Sequence, residues 1–120
     1  MDVLVVVDMQ KDFISGALGT KEAVGIVPHV AEKIAHARAA GKTVVFTRDT
    51  HHENYLETQE GKNLPVPHCI KDTDGWQIDP ALDTEDSLIF DKPSFGSEAL
   101  VQYLKGLPDL QSAEFVGLCT

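Results

Sequence analysis

No apolar run in this sequence approaches the roughly 20 residues that a helix needs to cross a bilayer, and the opening Met1-Asp2-Val3 lacks the basic start of a secretory signal. A membrane span is therefore not expected, and the cytoplasm is the expected location. Cysteine is scarce. Cys69 and Cys119 are the only two, which excludes the disulfide framework that staples small secreted domains and leaves reduced thiols as the expected state. Basic residues are also in deficit: 10 Lys and Arg stand against 19 Asp and Glu, a formal net charge of -9 that disfavours a nucleic-acid backbone as partner. Internal repeats and low-complexity tracts are lacking. Gly16-Ala17-Leu18-Gly19 has neither the lysine of one phosphate-binding loop nor the strand-to-helix setting of the other. Asp72-Thr73-Asp74-Gly75 begins like a calcium loop, but its twelfth position holds Asp83 where a glutamate is needed.

What is present suits one soluble globular domain over residues 1–120, with 42% hydrophobic and 24% charged residues. Val3 to Val7 is a β-branched apolar run closed by Asp8, the pattern of a strand buried on both faces of a parallel sheet. Gln10 to Thr20 is expected as a loop anchored by Phe13, Ile14 and Leu18, and it should line something. From Ile26, the residues Val27, Val30, Ala31, Ile34 and Ala37 recur at three and four, which predicts a helix with Pro28 in its first turn and Gly41 as its stop. Thr43 to Thr47 reads as a second buried strand. Strand, helix and strand make a βαβ unit, whose ligands gather beyond the carboxyl ends of the strands.

Arg48 to Asp79 shows no sustained period, and a loop of that length in a compact domain is usually functional. Ser87 to Phe90 is expected as a third strand ending at Asp91-Lys92. Ser97 is expected to cap a short helix carrying Leu100, Val101 and Leu104, and Phe115 to Leu118 is the fourth strand. The chain then stops inside its own strand-to-helix turn, the pattern of a truncated domain. Apolar sheet should be left for further residues or a partner surface to cover.

Asp8, Asp49, Lys92 and Cys119 all fall at or just past predicted strand ends, which would gather them on one rim. Strand ends are also simply where polarity begins. Asp49 and His51 stand two apart and His68 could return to meet them, a nitrogen and oxygen set that zinc accepts, although surface loops are full of such residues. Lys92 reads either as a surface cation or as the partner of a carboxylate, which Asp8 would supply. Cys69 is expected to pack as a small hydrophobe.

Asp8-Met9-Gln10-Lys11-Asp12-Phe13 after an apolar strand resembles the opening of the isochorismatase-like cysteine hydrolase superfamily. Further landmarks follow in that superfamily's order: Thr47-Arg48-Asp49-Thr50-His51, Pro67-His68-Cys69-Ile70 with Gly75-Trp76, Asp91-Lys92-Pro93-Ser94-Phe95, and Gly117-Leu118-Cys119-Thr120. The resemblance implies a doubly wound, three-layer α/β fold with a mainly parallel sheet, incomplete at its C-terminus. Asp8 and Lys92 match the aspartate and lysine of a catalytic triad, and the nucleophilic cysteine would come three residues after Thr120. Cys119 is then not the nucleophile. Leu118-Cys119 matches the family's cis peptide, which is expected here beside the oxyanion hole. The nicotinamidase branch implies a divalent transition metal, zinc foremost, on Asp49, His51 and His68, with Glu60 completing the set. Thr50-His51-His52 departs from the branch's usual tryptophan-histidine-proline, which leaves the local loop path open.

The implied activity is hydrolysis of nicotinamide to nicotinate and ammonia through a cysteine thioester, with Phe13 in the substrate pocket. The rivals are a cysteine hydrolase for another small amide or carbamoyl compound, and a non-catalytic metal-binding or structural module. The implied partner is a small-molecule amide, with a homo-oligomer as the family expectation.

Overall fold

A computed structural model of the chain describes residues 1–84, 87–92 and 98–118. Its centre is β1 (Asp2–Val7), which pairs in parallel with β2 (Thr43–Asp49) on one side and β4 (Ser112–Gly117) on the other. β3 (Ile89–Lys92) joins β2, giving the all-parallel order β3-β2-β1-β4. The chain winds outward from β1 through β2 to β3, then returns to the opposite side of β1. That reversal opens a crevice at the carboxyl ends of β1 and β4, where sheets of this class bind ligands.

Alternation along β1 makes both faces apolar. Leu4 and Val6 pack with Val44 and Phe46 under Val27, Val30 and Ile34 of the helix α2 (Lys21–Ala39). Val3 and Val5 join Val45 beneath Leu100, Tyr103 and Leu104 of the helix α4 (Glu98–Lys105). Helix, sheet and helix are thus three layers. Each buried Val or Leu contributes roughly 1.5–3 kcal/mol relative to exposure, so the apolar strand is stable only with both covers in place. Edge strand β4 is less covered, and Phe115 is 53% exposed. Among the described residues no helix is long and apolar enough to cross a membrane.

Several expected boundaries shift. α2 begins at Lys21, five residues before the apolar stripe, because the Thr20 hydroxyl caps it by accepting from the Ala23 N–H at 3.0 Å. Pro28 therefore lies inside the helix and not in its first turn. It is tolerated on the exposed face, where water can take the carbonyl that it leaves unbonded. Gly41 ends the helix as expected: its φ of +76° lets Lys42 N–H reach the Ala37 carbonyl at 2.9 Å.

The stretch read as a loop after Gln10 contains the one-turn helix α1 (Lys11–Ile14). The long middle segment is not structureless either. It holds 3₁₀ turns at Tyr55–Glu57 and Asp74–Trp76 and the short helix α3 (Gln59–Asn63), capped by Thr58. β3 begins two residues later than expected, at Ile89, and ends at Asp91-Lys92 as expected, where these two residues pair with Arg48 and Asp49. β4 starts three residues earlier than its apolar run, because Ser112, Ala113 and Glu114 pair with the start of β1. The Ser97 cap lies outside the described residues.

Candidate active site

Three strand ends place three charged side chains on one rim. Asp8 follows β1, Asp49 is the last residue of β2, and Lys92, in register with Asp49, is the last residue of β3. The Lys92 Nζ reaches the Asp8 Oδ2 at 2.8 Å, and both residues are at most 4% exposed. Thr47, two residues before Asp49 and so on the same face of β2, donates its hydroxyl to the other Asp8 oxygen at 2.9 Å. Burial pushes the Asp8 carboxyl above its ordinary value of 3.8, against the downward pull of the Lys92 and Thr47 hydrogen bonds. A carboxylate so placed is held in one orientation and is a stronger base than an exposed one.

The backbone at Asp8 is left-handed, with φ of +51°, a conformation that costs a non-glycine residue roughly 1 kcal/mol or more. It turns the chain out of the sheet toward α1 and is held by Asp8 N–H donating to the Thr47 carbonyl at 3.2 Å. Next to it, Gly117 lies at φ +129°, where a side chain would stand on the Val7 carbonyl. That close passage lets Leu118 N–H bond the same carbonyl at 3.0 Å and brings Leu118 into the site. Cys119 and the Leu118-Cys119 bond lie outside the described residues.

Beside the Asp8–Lys92 pair, four donor atoms converge. One ligand atom each from Asp49, His51, Glu60 and His68 lies within 4.8 Å of the others, and only Glu60 is other than buried. His51 Nε2 stands 3.0 Å from Asp49 Oδ2 and 2.9 Å from Glu60 Oε2, while His68 Nε2 is 3.8 Å from the same Asp49 oxygen. One imidazole N–H can be aimed at only one of two carboxylates, whereas a cation between them meets both. His68 Nδ1 lies 2.7 Å from the Val66 carbonyl, which assigns the proton to Nδ1 and leaves Nε2 as a lone pair facing the cluster. Two imidazoles and two carboxylates match the donors and charge of a divalent transition ion.

Other groups hold this cluster and were not singled out from the sequence. Gln10 is fully buried; its amide oxygen accepts from Asp49 N–H, and its amide nitrogen donates to the Asp49 and Trp76 carbonyls, all at 2.8 Å. It pairs with the end of β2 as a strand would. Tyr55, 1% exposed, sets its ring edge-on to His51 and His68 at 4.6 and 5.1 Å and donates its hydroxyl to the Leu64 carbonyl. Spacing offers no cue for Tyr55. Thr47 and Gln10 were visible only as members of the quoted motifs.

A cavity of about 460 Å³ joins the two constellations, with Asp8 at one end, Asp49, Glu60 and His68 at the other, and Phe13, Leu18, Leu64 and Leu118 as apolar wall. Phe13 lines this cavity, with its ring 5.4 Å from that of His68. A second concavity of about 530 Å³ lies between α2 and β4, beside His29, Lys33 and Glu114, and shares no lining residue with the first. Cys69 is buried between Phe13 and Trp76.

Across residues 2–120 the chain matches the family described as the isochorismatase domain. Among solved structures, the pyrazinamidase of Pyrococcus horikoshii in complex with zinc is 33% identical, over 99% of this chain and 71% of that one, with a TM-score of 0.80. The pyrazinamidase/nicotinamidase of Streptococcus mutans is 24% identical, over 99% of this chain and 72% of that one, at TM-score 0.83. N-carbamoylsarcosine amidase of Thermoplasma acidophilum is also 24% identical, over 97% of this chain and 66% of that one, at TM-score 0.78. The last two likenesses speak to the fold alone. No curated protein matches the chain.

Proposed function

We propose that this chain, which belongs to the isochorismatase domain family, carries the base and the metal site of an amidohydrolase that cleaves nicotinamide to nicotinate and ammonia. The carrying observation is that a buried Asp–Lys pair and a four-donor metal cluster open into one cavity with an apolar wall. A flat heteroaromatic amide fits such a slot, with its ring against Phe13 and Leu118 and its carboxamide toward Asp8. Support comes also from the 33% identical pyrazinamidase crystallised with zinc.

On this reading the nucleophile is a cysteine thiol, which the resemblance implies three residues past Thr120. Asp8 would take the thiol proton as the sulfur adds to the amide carbon. It then gives that proton to the departing nitrogen, so ammonia leaves and a thioester remains. Water completes the cycle: Asp8 accepts one of its protons while the oxygen adds to the thioester carbon, the C–S bond breaks as the departing sulfur takes that proton back from Asp8, and the acid leaves as nicotinate, its proton passing to water. Lys92 holds Asp8 in place and favours the thiolate by its charge. Backbone N–H groups at the turn after β4 would receive the developing oxyanion. Asp49, His51, Glu60 and His68 would hold a divalent transition ion, zinc in the first place, whose Lewis acidity can anchor a ring nitrogen.

The test is ammonia release by the intact, zinc-loaded protein from nicotinamide and, in parallel, from small N-carbamoyl compounds. Nicotinamide should be the better substrate, and Asp8→Asn should turn it over about 10³-fold more slowly. Turnover of carbamoyl compounds alone would replace the substrate assignment, and no turnover of either would leave a non-catalytic metal-binding module.

A further inference from the structure

We propose that Asp12 is a positioning residue for the metal cluster, holding the backbone that aims His68 and His51 without itself reaching the metal or the substrate. The inference rests on the metal reading above. Asp12 lies on α1, four residues beyond Asp8, and is absent both from the four-donor cluster and from the cavity wall. Its Oδ2 accepts the Cys69 N–H at 2.8 Å across 57 residues of chain. That N–H belongs to the peptide joining His68 to Cys69, so the carboxylate fixes the plane from which the His68 ring projects.

The next peptide unit, from Cys69 to Ile70, is clamped as well. Cys69 is fully buried at φ +50°, a left-handed backbone that persists only where its surroundings enforce it. Its carbonyl accepts His51 N–H at 2.9 Å, and Lys71 N–H returns to the His51 carbonyl at 2.8 Å. Asp12 thus reaches His68 directly and His51 through one residue. The carboxylate has nowhere else to go, because Gly75 packs flat against it and a side chain there would occupy its position. A charge-assisted bond to a buried N–H is stronger than a neutral one, which gives the acidic side chain a purpose where no cation faces it among the contacts described.

The test is zinc affinity of the intact protein, by competition with a chromophoric chelator, with thermal unfolding of the metal-free form as control. Asp12→Ala should weaken zinc binding by about 10-fold or more, the range for loss of a group that orients a metal ligand. Asp12→Asn keeps an acceptor oxygen and should stay within about threefold of the parent. Gly75→Ala displaces the carboxylate and should reproduce Asp12→Ala. Saturating zinc should restore most of the kcat lost by Asp12→Ala, which a general loss of folding would not allow. Parent-like affinity in folded Asp12→Ala, or equal loss in Asp12→Ala and Asp12→Asn, would overturn the inference with the metal reading intact. If Asp12→Ala does not fold, Asp12→Glu decides, since it keeps the charge but misplaces the oxygen, and parent-like affinity there is equally fatal. A parent that takes up no zinc would remove the metal reading and this inference together.

Discussion

At the scale of single residues, Asp8 answers to pH in a defined direction. Its carboxyl is raised above 3.8 by burial, so the protonated form is favoured in the fold. The associated stability is fully present below 3.8 and is lost as pH rises through the higher folded value. Catalysis needs the opposite form. The acid limb of kcat/KM should therefore lie above 3.8, and Thr47→Val, which removes a hydrogen bond to the carboxylate, should move it to still higher pH. A pH–rate profile of the two proteins checks this; a limb that stays put would detach Thr47 from the base. Asp8→Asn should lower kcat by about 10³-fold, within the span typical of general bases.

Gln10 makes a separate demand on stability. Gln10→Ala strands the Asp49 N–H and two carbonyls in a buried place, at about 1–3 kcal/mol for each group that finds no water. Urea unfolding should show a loss of at least about 2 kcal/mol. Zinc affinity should fall with it, because the Asp49 backbone is no longer held.

At the scale of elements, α2 and α3 differ in what holds them. α2 lays Ala23, Val27, Val30, Ile34 and Ala37 on the sheet, so its stability comes from packing. Thr20→Ala removes only the cap and should cost about 1 kcal/mol by chemical denaturation. α3 has five residues, with Leu56 and Leu64 on its flanks 52% and 41% exposed, and its Glu60 reaches His51. Zinc should therefore slow amide exchange over 59–63 more than over α2, and Glu60→Gln should remove much of that difference. Equal slowing of both helices would mean that Glu60 is not a ligand.

The elements also show what a sequence carries openly. β1, β2 and the rim residues Asp8 and Asp49 were legible because buried parallel strands are long apolar runs that end in polarity. The start of α2 was not, because Ala23 is the only residue of the stripe in that first turn, the exposed apolar Val24 and Gly25 beside it blur the period, and the helix is set there by a hydroxyl cap. The first half of β4 was hidden for a related reason: Ser112 and Glu114 are exposed on an edge strand and carry no apolar signal. At the site, Asp49, His51 and His68 could be named from residue type, and Glu60 only from resemblance. Gln10 and Tyr55 act through backbone carbonyls and ring contacts, which leave no periodic trace.

For the whole molecule, metal and fold should be linked. An ion that binds the folded cluster and not the unfolded chain stabilises by mass action, about 2.7 kcal/mol at one hundred times its Kd. Zinc should raise the melting temperature, a chelator should reverse the rise, and His68→Ala should abolish it.

The strand order has a kinetic consequence. β1 meets β2 across some forty residues, but its partnership with β4 spans 110, from Asp2 to Ser112. Closing the longer loop is the slower event, and in a nascent chain the last strand emerges last. Asp49, His51, Glu60 and His68, with their supports Gln10, Tyr55 and Trp76, all precede residue 77, whereas Lys92 and Leu118 arrive later. The four-donor half of the site can thus assemble as an early unit, before Asp8 acquires its lysine or Leu118 its strand. Pulse-labelling exchange during refolding should find β1, α2 and β2 protected first and β4 last. Zinc added at the start should speed the early phase and leave the late one unchanged.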